Sequence, residues 1–360
     1  MKKLNLLLIF GGKSAEHEVS IESAKNIILR YDKKKYNLLP LWIDKEGNFF
    51  LIDRDISNLS YDKLCFSDKN LNVTLLKNRN NKCVIYDLKE NNIITHIDIA
   101  FPVLHGPFGE DGTIQGYLET VNCPYIGSGV LSSSICMNKI VSKELLKAAK
   151  LKVANFLKFN SLEDSLEEIC EKVPEKLKFP VFVKPSSLGS SIGISKVNKY
   201  EELINAIEIA LKFDNTIIIE EAIKGREIEI AIIGNKEDEL IISKPGEIKT
   251  NKTFYSYEAK YLDEKGTKLI VPAKIDEKIV DVIKKDALKA YRILYCKDYA
   301  RIDMFLDEEN QIFINEINTI PGFTTHSMFP LLMEEEGINY QQLIDRLINI
   351  ALKKSRDLKI

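Results

Sequence analysis

Apolar and polar positions along this chain recur in two periods, and the changes of period mark the elements. Leu4–Phe10 is an unbroken apolar run ending in Gly11-Gly12, which predicts a strand buried on both faces. The segment after it carries Ile21, Ala24, Ile27 and Ile28 on one helical face. Leu38–Ile43 and Ile97–Leu104 read as further strands, the second ending at His105-Gly106. Strands alternating with helices predict an α/β fold with a parallel, doubly wound sheet, whose ligands sit beyond the carboxyl ends of the strands. Both glycine-bearing loops, after Phe10 and after Leu104, fall there. Residues of about 50–95 form an Asn- and Lys-rich excursion with short strands, to which no chemistry attaches.

A second block follows Gly127-Ser128-Gly129. It holds a helix from about Asn138 to Lys150 and a strand Pro180–Lys184. A Ser/Gly loop Pro185–Ile192 and a return strand Gly193–Val197 make a hairpin, followed by a helix Lys199–Leu211 and a strand Thr216–Glu221. The third block starts near Gly225 with alternating strands. A helix Asp276–Leu294, a hairpin and a last helix Tyr340–Leu352 complete it. The expected division is 1–125, 126–223 and 224–360.

Composition narrows the function classes. The 360 residues, 45% hydrophobic, suffice for more than one core. A net charge of −2 offers no basic face to nucleic acid or to a membrane surface. No apolar run approaches the roughly 20 residues of a membrane span. The apolar start meets Gly11-Gly12-Lys13-Ser14 instead of a small-residue cleavage site, so it reads as a strand and not as a signal peptide. Six scattered cysteines without a CxxC pair predict reduced thiols in a cytoplasmic protein. The four histidines lack metal-ligand spacing.

The richest chemistry lies in the C-terminal hairpin. Ala300–Phe305 and Phe313–Thr319 both alternate in the strand period, joined by Asp307-Glu308-Glu309-Asn310. Arg301 and Asp303 therefore share one face, as do Glu316 and Asn318. Two carboxylates and an amide oxygen suit a hard cation such as Mg²⁺, which usually also binds substrate phosphates. The arginine could hold a transferring phosphoryl group or a developing oxyanion. Each residue alone would be an ordinary solvated polar position. The strand, however, runs into Thr319–Ser327, a polar stretch with a Pro321-Gly322 turn that has the character of a binding loop.

Other segments carry two readings. Lys184–Gly193 offers amides, hydroxyls and a lysine to an anion, though not in the Walker pattern. Alone it would be a surface turn, and Lys139 a solvated helix-start lysine; together the two lysines could grip different phosphates. Glu220 and Glu221 end a strand, and Glu227 follows a short turn. They could receive ribose hydroxyls or an adenine amine, or be the ordinary charges of a linker. Tyr255, Tyr257, Glu258, Lys260 and Tyr261 make either a lid or a solvated loop with half-buried tyrosines. Glu16 or Glu18 could pair with a substrate ammonium or stabilise a helix N-terminus. His105 stands between a structural and a functional role.

Taken together, five segments resemble the signatures of the D-alanine–D-alanine ligases of the ATP-grasp superfamily, in order along nearly the whole chain. They are Gly11–Ser20, His105–Gly116, Lys184–Gly193, Tyr257–Tyr261 and Asn318–Ser327, with the hairpin between the last two. The resemblance implies an N-terminal α/β domain followed by a two-part ATP-grasp module. It implies ATP-dependent joining of two D-alanines for peptidoglycan, through an acylphosphate. By resemblance, Lys139 and Lys184 would hold ATP phosphates, with Lys260 adding a contact to the nucleotide. Glu220, Glu221, Ile223 and Glu227 would surround adenine and ribose. Asp303, Glu316 and Asn318 would bind two Mg²⁺ ions, for which Mn²⁺ could substitute. Glu16 would hold the first ammonium and link with Ser190 and Tyr261, while His105 would sit near the first D-alanine. Arg301 and the Gly322 amide would stabilise the tetrahedral oxyanion, and Ser327 would hold the second carboxylate. Ala222 stands where some relatives carry an aromatic at the adenine hinge. D-Alanine and ATP are the expected partners, with room for a homodimer. A D-lactate or D-serine acceptor is the nearest alternative, and Tyr257–Tyr261 argues against D-lactate. A non-catalytic ATP-binding protein is the other; it would be expected to lose a metal ligand or a phosphate lysine, and none is missing.

Overall fold

The computed structural model describes residues 2–52, 70–250 and 267–357. Its first sheet comprises β1 (Leu4–Gly11), β2 (Tyr36–Ile43), β3 (Phe49–Ile52), β4 (Asn70–Lys77), β5 (Cys83–Asp87), β6 (Asn92–His96) and β7 (Ile99–Pro102), in the order β6-β5-β4-β3-β2-β1-β7. The parallel pairing expected from the βα alternation holds for β2-β1-β7. From β2 outward the strands run antiparallel. The described part of the excursion thus widens the sheet with antiparallel strands. Tight turns explain the direction of the β2–β3 and β4–β5 pairs. Asp44 receives the amide of Asn48 at 2.7 Å and Asn78 that of Lys82 at 3.0 Å, and short connections of this kind reverse the chain where a parallel pair needs a crossover.

The sheet is covered on both faces. Leu6, Leu8 and Phe10 of β1 pack towards α1 (His17–Arg30), whose Ile21, Ala24, Ile27 and Ile28 are buried as the periodicity predicted. Leu7 and Ile9 point the other way, onto Ile114 and Leu118 of α2 (Thr113–Thr120). After α3 (Val130–Met137) comes α4 (Lys139–Ala148), whose start is fixed by the Asn138 side chain accepting the Val141 amide at 3.0 Å.

The second sheet is antiparallel, in the order β10-β9-β11-β8, built from β8 (Phe156–Asn160), β9 (Val181–Pro185), β10 (Ser195–Val197) and β11 (Thr216–Glu221). Its core, including Phe159, Val183 and Ile217, lies under α5 (Leu166–Lys176) and α6 (Leu203–Leu211). β10 starts two residues later than expected. Gly193, with φ +70°, belongs to the loop, and a side chain there would strike Pro185 and Phe213.

The third sheet contains β12 (Gly225–Ile233), β13 (Ile241–Ile242), β14 (Gly246–Thr250), β15 (Thr267–Ile270), β16 (Tyr299–Asp307) and β17 (Ile312–Asn318). The order is β15-β14-β12-β16-β17, with β13 on β12. Alternation sorts β12 again. Ile228, Ile230 and Ile232 pack on Ile283, Ala287 and Ala290 of α7 (Glu277–Ile293), while Ala231 and Ile233 join Phe329 and Leu332 of α8 (Met328–Glu335). The last helix, α9 (Tyr340–Asp357), returns Leu343, Ile344 and Leu347 to the cluster that contains β1 and α1. An aromatic cluster joins the first and third sheets, with Phe323 edge-on to Phe101 at 5.5 Å and to Tyr299 at 6.0 Å.

Candidate active site

One cleft of about 1070 Å³ draws its walls from all three sheets and their loops. Of the sequence-predicted residues, Glu16, His105, Lys139, Ser190, Arg301, Glu316, Asn318, Gly322 and Ser327 line it. Lys184, Glu220, Glu221, Ile223, Glu227 and Asp303 are not among its lining residues. Lys260, Tyr261 and the rest of the expected lid lie outside the described residues.

The hairpin forms with the register the alternation predicted. Arg301 faces Asn318 and Asp303 faces Glu316, with an irregularity after Asp303. Asp303 accepts a bidentate pair from Arg301 at 2.7 Å each and the Asn318 amide at 2.9 Å. Arg301 also contacts Glu229 at 2.9 Å. Burial alone would weaken its charge, but Asp303 and Glu229 hold its pKa above the usual guanidinium value. The arginine is therefore clamped between two carboxylates. Among the described residues no three Asp, Glu, His or Cys side chains gather closely enough to hold a metal unaided. Two carboxylates and an amide on paired strands remain a hard-oxygen donor set, one that fits a cation also sharing substrate phosphate oxygens.

Three lysines gather near one another close to the Pro185–Ile192 loop. Glu220, 3% exposed, sits between Lys184, which donates to its Oε1, and Lys143, whose Nζ is 3.1 Å from its Oε2. Burial opposes its ionisation, yet the two ammonium groups pull its carboxyl down to about 2. Lys139 donates to the Leu188 carbonyl at 2.5 Å and stands 3.8 Å from Glu316. Burial lowers the pKa of both Lys139 and Lys143, against the pull of Glu316 and Glu220 respectively. The set is rich in positive charge and poor in solvent. Glu220 is thus a lysine partner within the described structure. The Glu221 side chain is also occupied, accepting Asn155 at 2.9 Å and the Lys178 amide at 2.8 Å.

The loop Leu188–Ser191 overhangs Glu16. A Cβ on Gly189 would lie 3.3 Å from a Glu16 carboxylate oxygen. Ser190 and Ser191 adopt left-handed φ of 54° and 58°. The Ser190 hydroxyl is buried with no hydrogen-bond partner among the described residues, so the Ser190–Glu16 link is not formed here. Glu16 is held from below. Its amide donates to Ser14 Oγ at 3.1 Å, and that hydroxyl donates to the His105 carbonyl at 2.6 Å. Beside it, His17 donates from Nδ1 to the Gly12 carbonyl at 2.5 Å and accepts Trp42 Nε1–H at 3.3 Å.

His105 is 5% exposed and structurally committed: Nδ1 donates to the Ile320 carbonyl at 3.0 Å, and Nε2 accepts from Ser23 at 3.1 Å. Burial depresses its pKa, opposed by Glu16, in keeping with a neutral ring. Ser327 accepts the Thr324 amide at 3.0 Å, and a Cβ at Gly322 would meet its Oγ at 2.7 Å.

Three residues that sequence reading passed over belong to this region: Lys143, Glu229 and Glu110. Lys143 had a signal, since it lies four residues after Lys139 on the same helical face. Glu229 alternates with Glu227 on β12 opposite Asp303, a pairing that only the sheet order reveals.

Comparison with known proteins gives a consistent picture. Residues 5–128 match the family model described as the D-ala D-ala ligase N-terminus, and residues 145–349 the D-ala D-ala ligase C-terminus. The D-alanine–D-alanine ligase of Oceanobacillus iheyensis is 44% identical over 97% of this chain and 95% of its own length. The D-alanine–D-alanine ligase from Coxiella burnetii superposes with a TM-score of 0.89 at 32% identity, covering 100% of this chain and 97% of that one. VanG, a D-Ala:D-Ser ligase from Enterococcus faecalis, superposes at 0.87 with 34% identity, covering 97% and 100%. A Bacillus anthracis D-alanine–D-alanine ligase complexed with ATP superposes at 0.72 with 29% identity, covering 99% and 100%.

Proposed function

The chain belongs to the D-alanine–D-alanine ligase family, and on that premise we propose that it joins two D-alanines to D-alanyl-D-alanine at the expense of ATP. The observation that carries the reading is the pairing of Arg301 with Asn318 and of Asp303 with Glu316, beside Lys139 and facing Glu16 across one cleft.

The chemistry follows from the substrates. A carboxylate is a poor electrophile. A carboxylate oxygen of the first D-alanine bonds to the γ-phosphorus as the bond to the β,γ-bridging oxygen breaks, giving ADP and an acylphosphate. The second D-alanine's nitrogen then bonds to the acyl carbon as phosphate leaves; two protons leave that nitrogen, one ending on the departing phosphate and one released to solvent. Glu16 would hold the first ammonium, with Ser190 and Tyr261 closing over it and His105 shaping the floor. Lys139 and Lys184 would take phosphate oxygens, with Lys260 adding a contact. Glu220, Glu221, Ile223 and Glu227 would border adenine and ribose. Arg301 and the Gly322 amide would face the tetrahedral oxyanion, and Ser327 the second carboxylate. Asp303, Glu316 and Asn318 would hold two Mg²⁺ ions, or Mn²⁺ in their place; when bound, these offset phosphate charge. Transfer of this kind is governed by positioning and electrostatics more than by covalent help from the protein. The dipeptide would serve peptidoglycan synthesis and cell shape in the cytoplasm, with a homodimer compatible with the reading. The functional units would be 1–125, 126–223 and 224–360. Among the described residues no helix is long and apolar enough to cross a membrane.

The test is phosphate release with ATP and D-alanine, compared with D-lactate, D-serine and L-alanine as second substrate. The reading expects D-alanine alone to support full turnover. Preferred use of D-serine would move the chain to the acceptor class of VanG, and no D-alanine-dependent release would refute the reading.

A further inference from the structure

The turn between β17 and α8 carries the proposed oxyanion donor Gly322, yet its backbone is held by side chains from the other end of the chain. Ile320 is gripped at both of its polar backbone groups: its N–H donates to Glu110 Oε1 at 3.2 Å, and its carbonyl accepts His105 Nδ1–H at 3.0 Å. His105 Nε2 accepts from Ser23 Oγ at 3.1 Å, and the same Ser23 Oγ accepts the Phe323 amide at 3.3 Å. The bonds run in one direction of donation, from Phe323 through Ser23 and His105 to Ile320, and on to Glu110. Gly322 lies between the two anchored residues. The second oxygen of Glu110 accepts the Gly106 amide at 3.0 Å, which ties the grip to the loop that also fixes Ser14 and Glu16.

We propose that Glu110 is a positioning residue of the ligase reaction: with His105 it clamps Ile320 and so sets where the Gly322 amide stands relative to Glu16. The inference rests on the function proposed above. Glu110 touches no reacting atom in this scheme. It accepts one amide from each of two loops whose sequence positions differ by more than two hundred residues, one on each of its two oxygens, while burial and the nearby Glu16 push its carboxyl up to about 8. The acylphosphate step needs the first D-alanine and ATP in place. The second step adds negative charge on the oxygen that Gly322 faces. Displacing a donor of that kind costs on the order of 10²-fold in rate. Loss of the clamp should therefore fall on the second step.

The two steps can be measured apart. D-Alanine-dependent scrambling of ¹⁸O between the β,γ-bridge and the non-bridging β positions of ATP reports acylphosphate formation; dipeptide formation reports the whole reaction. Glu110→Ala is expected to keep scrambling close to wild type while dipeptide formation falls roughly 100-fold. Glu110→Gln, with one accepting oxygen left, is expected to recover a large part of that loss. Equal losses in both readouts, or an unimpaired dipeptide rate in Glu110→Ala, would overturn the assignment. If Glu110→Ala does not fold, Glu110→Gln decides by the same ratio, a selective fall in dipeptide formation supporting the clamp and an unchanged ratio refuting it. Absence of D-alanine-dependent scrambling in the wild-type protein would instead strike the proposed function, and the inference with it.

Discussion

Replacing Glu220 by Gln keeps the shape of the buried lysine cluster and removes its negative centre. Glu220 is held by Lys184 and Lys143, with Lys139 close enough to be felt. Its carboxyl is drawn from 4.5 to about 2, a difference worth about 3 kcal/mol of native-state stability at neutral pH. Breaking a buried pair from one side costs about 3–5 kcal/mol by general experience, so the two routes agree. Burial already lowers the pKa of Lys143, and removing the Glu220 charge that opposes this lowers it further. The lysines then lack their central carboxylate and keep only Glu316 nearby, a deficit of negative charge that a triphosphate can make good. ATP without D-alanine should thus raise the unfolding midpoint of Glu220→Gln by more than it raises that of wild type. Ligand at 100 times its Kd contributes about 2.7 kcal/mol, enough to read in a urea or thermal melt. A variant as stable as wild type, or one that gains less from ATP than wild type does, would refute the charge argument.

Glu316→Gln and Asp303→Asn should each nearly abolish turnover with the fold intact, a loss of several kcal/mol in transition-state stabilisation; turnover near wild type at saturating Mg²⁺ would remove them as metal ligands. The depressed carboxyl of Glu220 makes a stability term that is complete above pH 4.5 and lost as pH falls from there toward about 2. Urea midpoints taken down this range should fall for wild type with a component that Glu220→Gln lacks. With D-alanine and D-lactate both supplied, the product at neutral and mildly alkaline pH should be dipeptide with little depsipeptide. Depsipeptide dominating at neutral pH would refute the acceptor assignment.

The hairpin was legible because strand alternation fixes faces: placing Arg301, Asp303, Glu316 and Asn318 needs only a period of two and a turn. The buried stripe of α1 and the limits of β11 were legible for the same local reason. The segment from 151 to 179 was not. It contains β8 and α5, whose apolar positions are few and whose helix includes Pro174 near its end, so neither period builds up. The antiparallel half of the first sheet was hidden by polar strands, with Ile93 and Ile94 left exposed on β6. Glu110 was illegible in kind. Its partners are a backbone amide four residues back and another 210 residues on, and no local pattern encodes the second.

The cluster that unites β1 and α1 with α9 sets an order of events for the newborn chain. Leu6, Leu8 and Phe10 leave the ribosome well before Leu343, Ile344 and Leu347, which finish their packing. At about 5–20 residues per second, the roughly 300 intervening residues take on the order of tens of seconds to be made. Through that interval the first sheet has α1 on this face but lacks its final cover. The middle sheet has no such wait: its core draws only on residues from Leu157 to Ile219 and can close as soon as they emerge. Synthesis therefore yields a finished centre between two ends that must still find each other. A ribosome stalled before Leu343 would hold a chain whose first sheet is exposed to other nascent proteins.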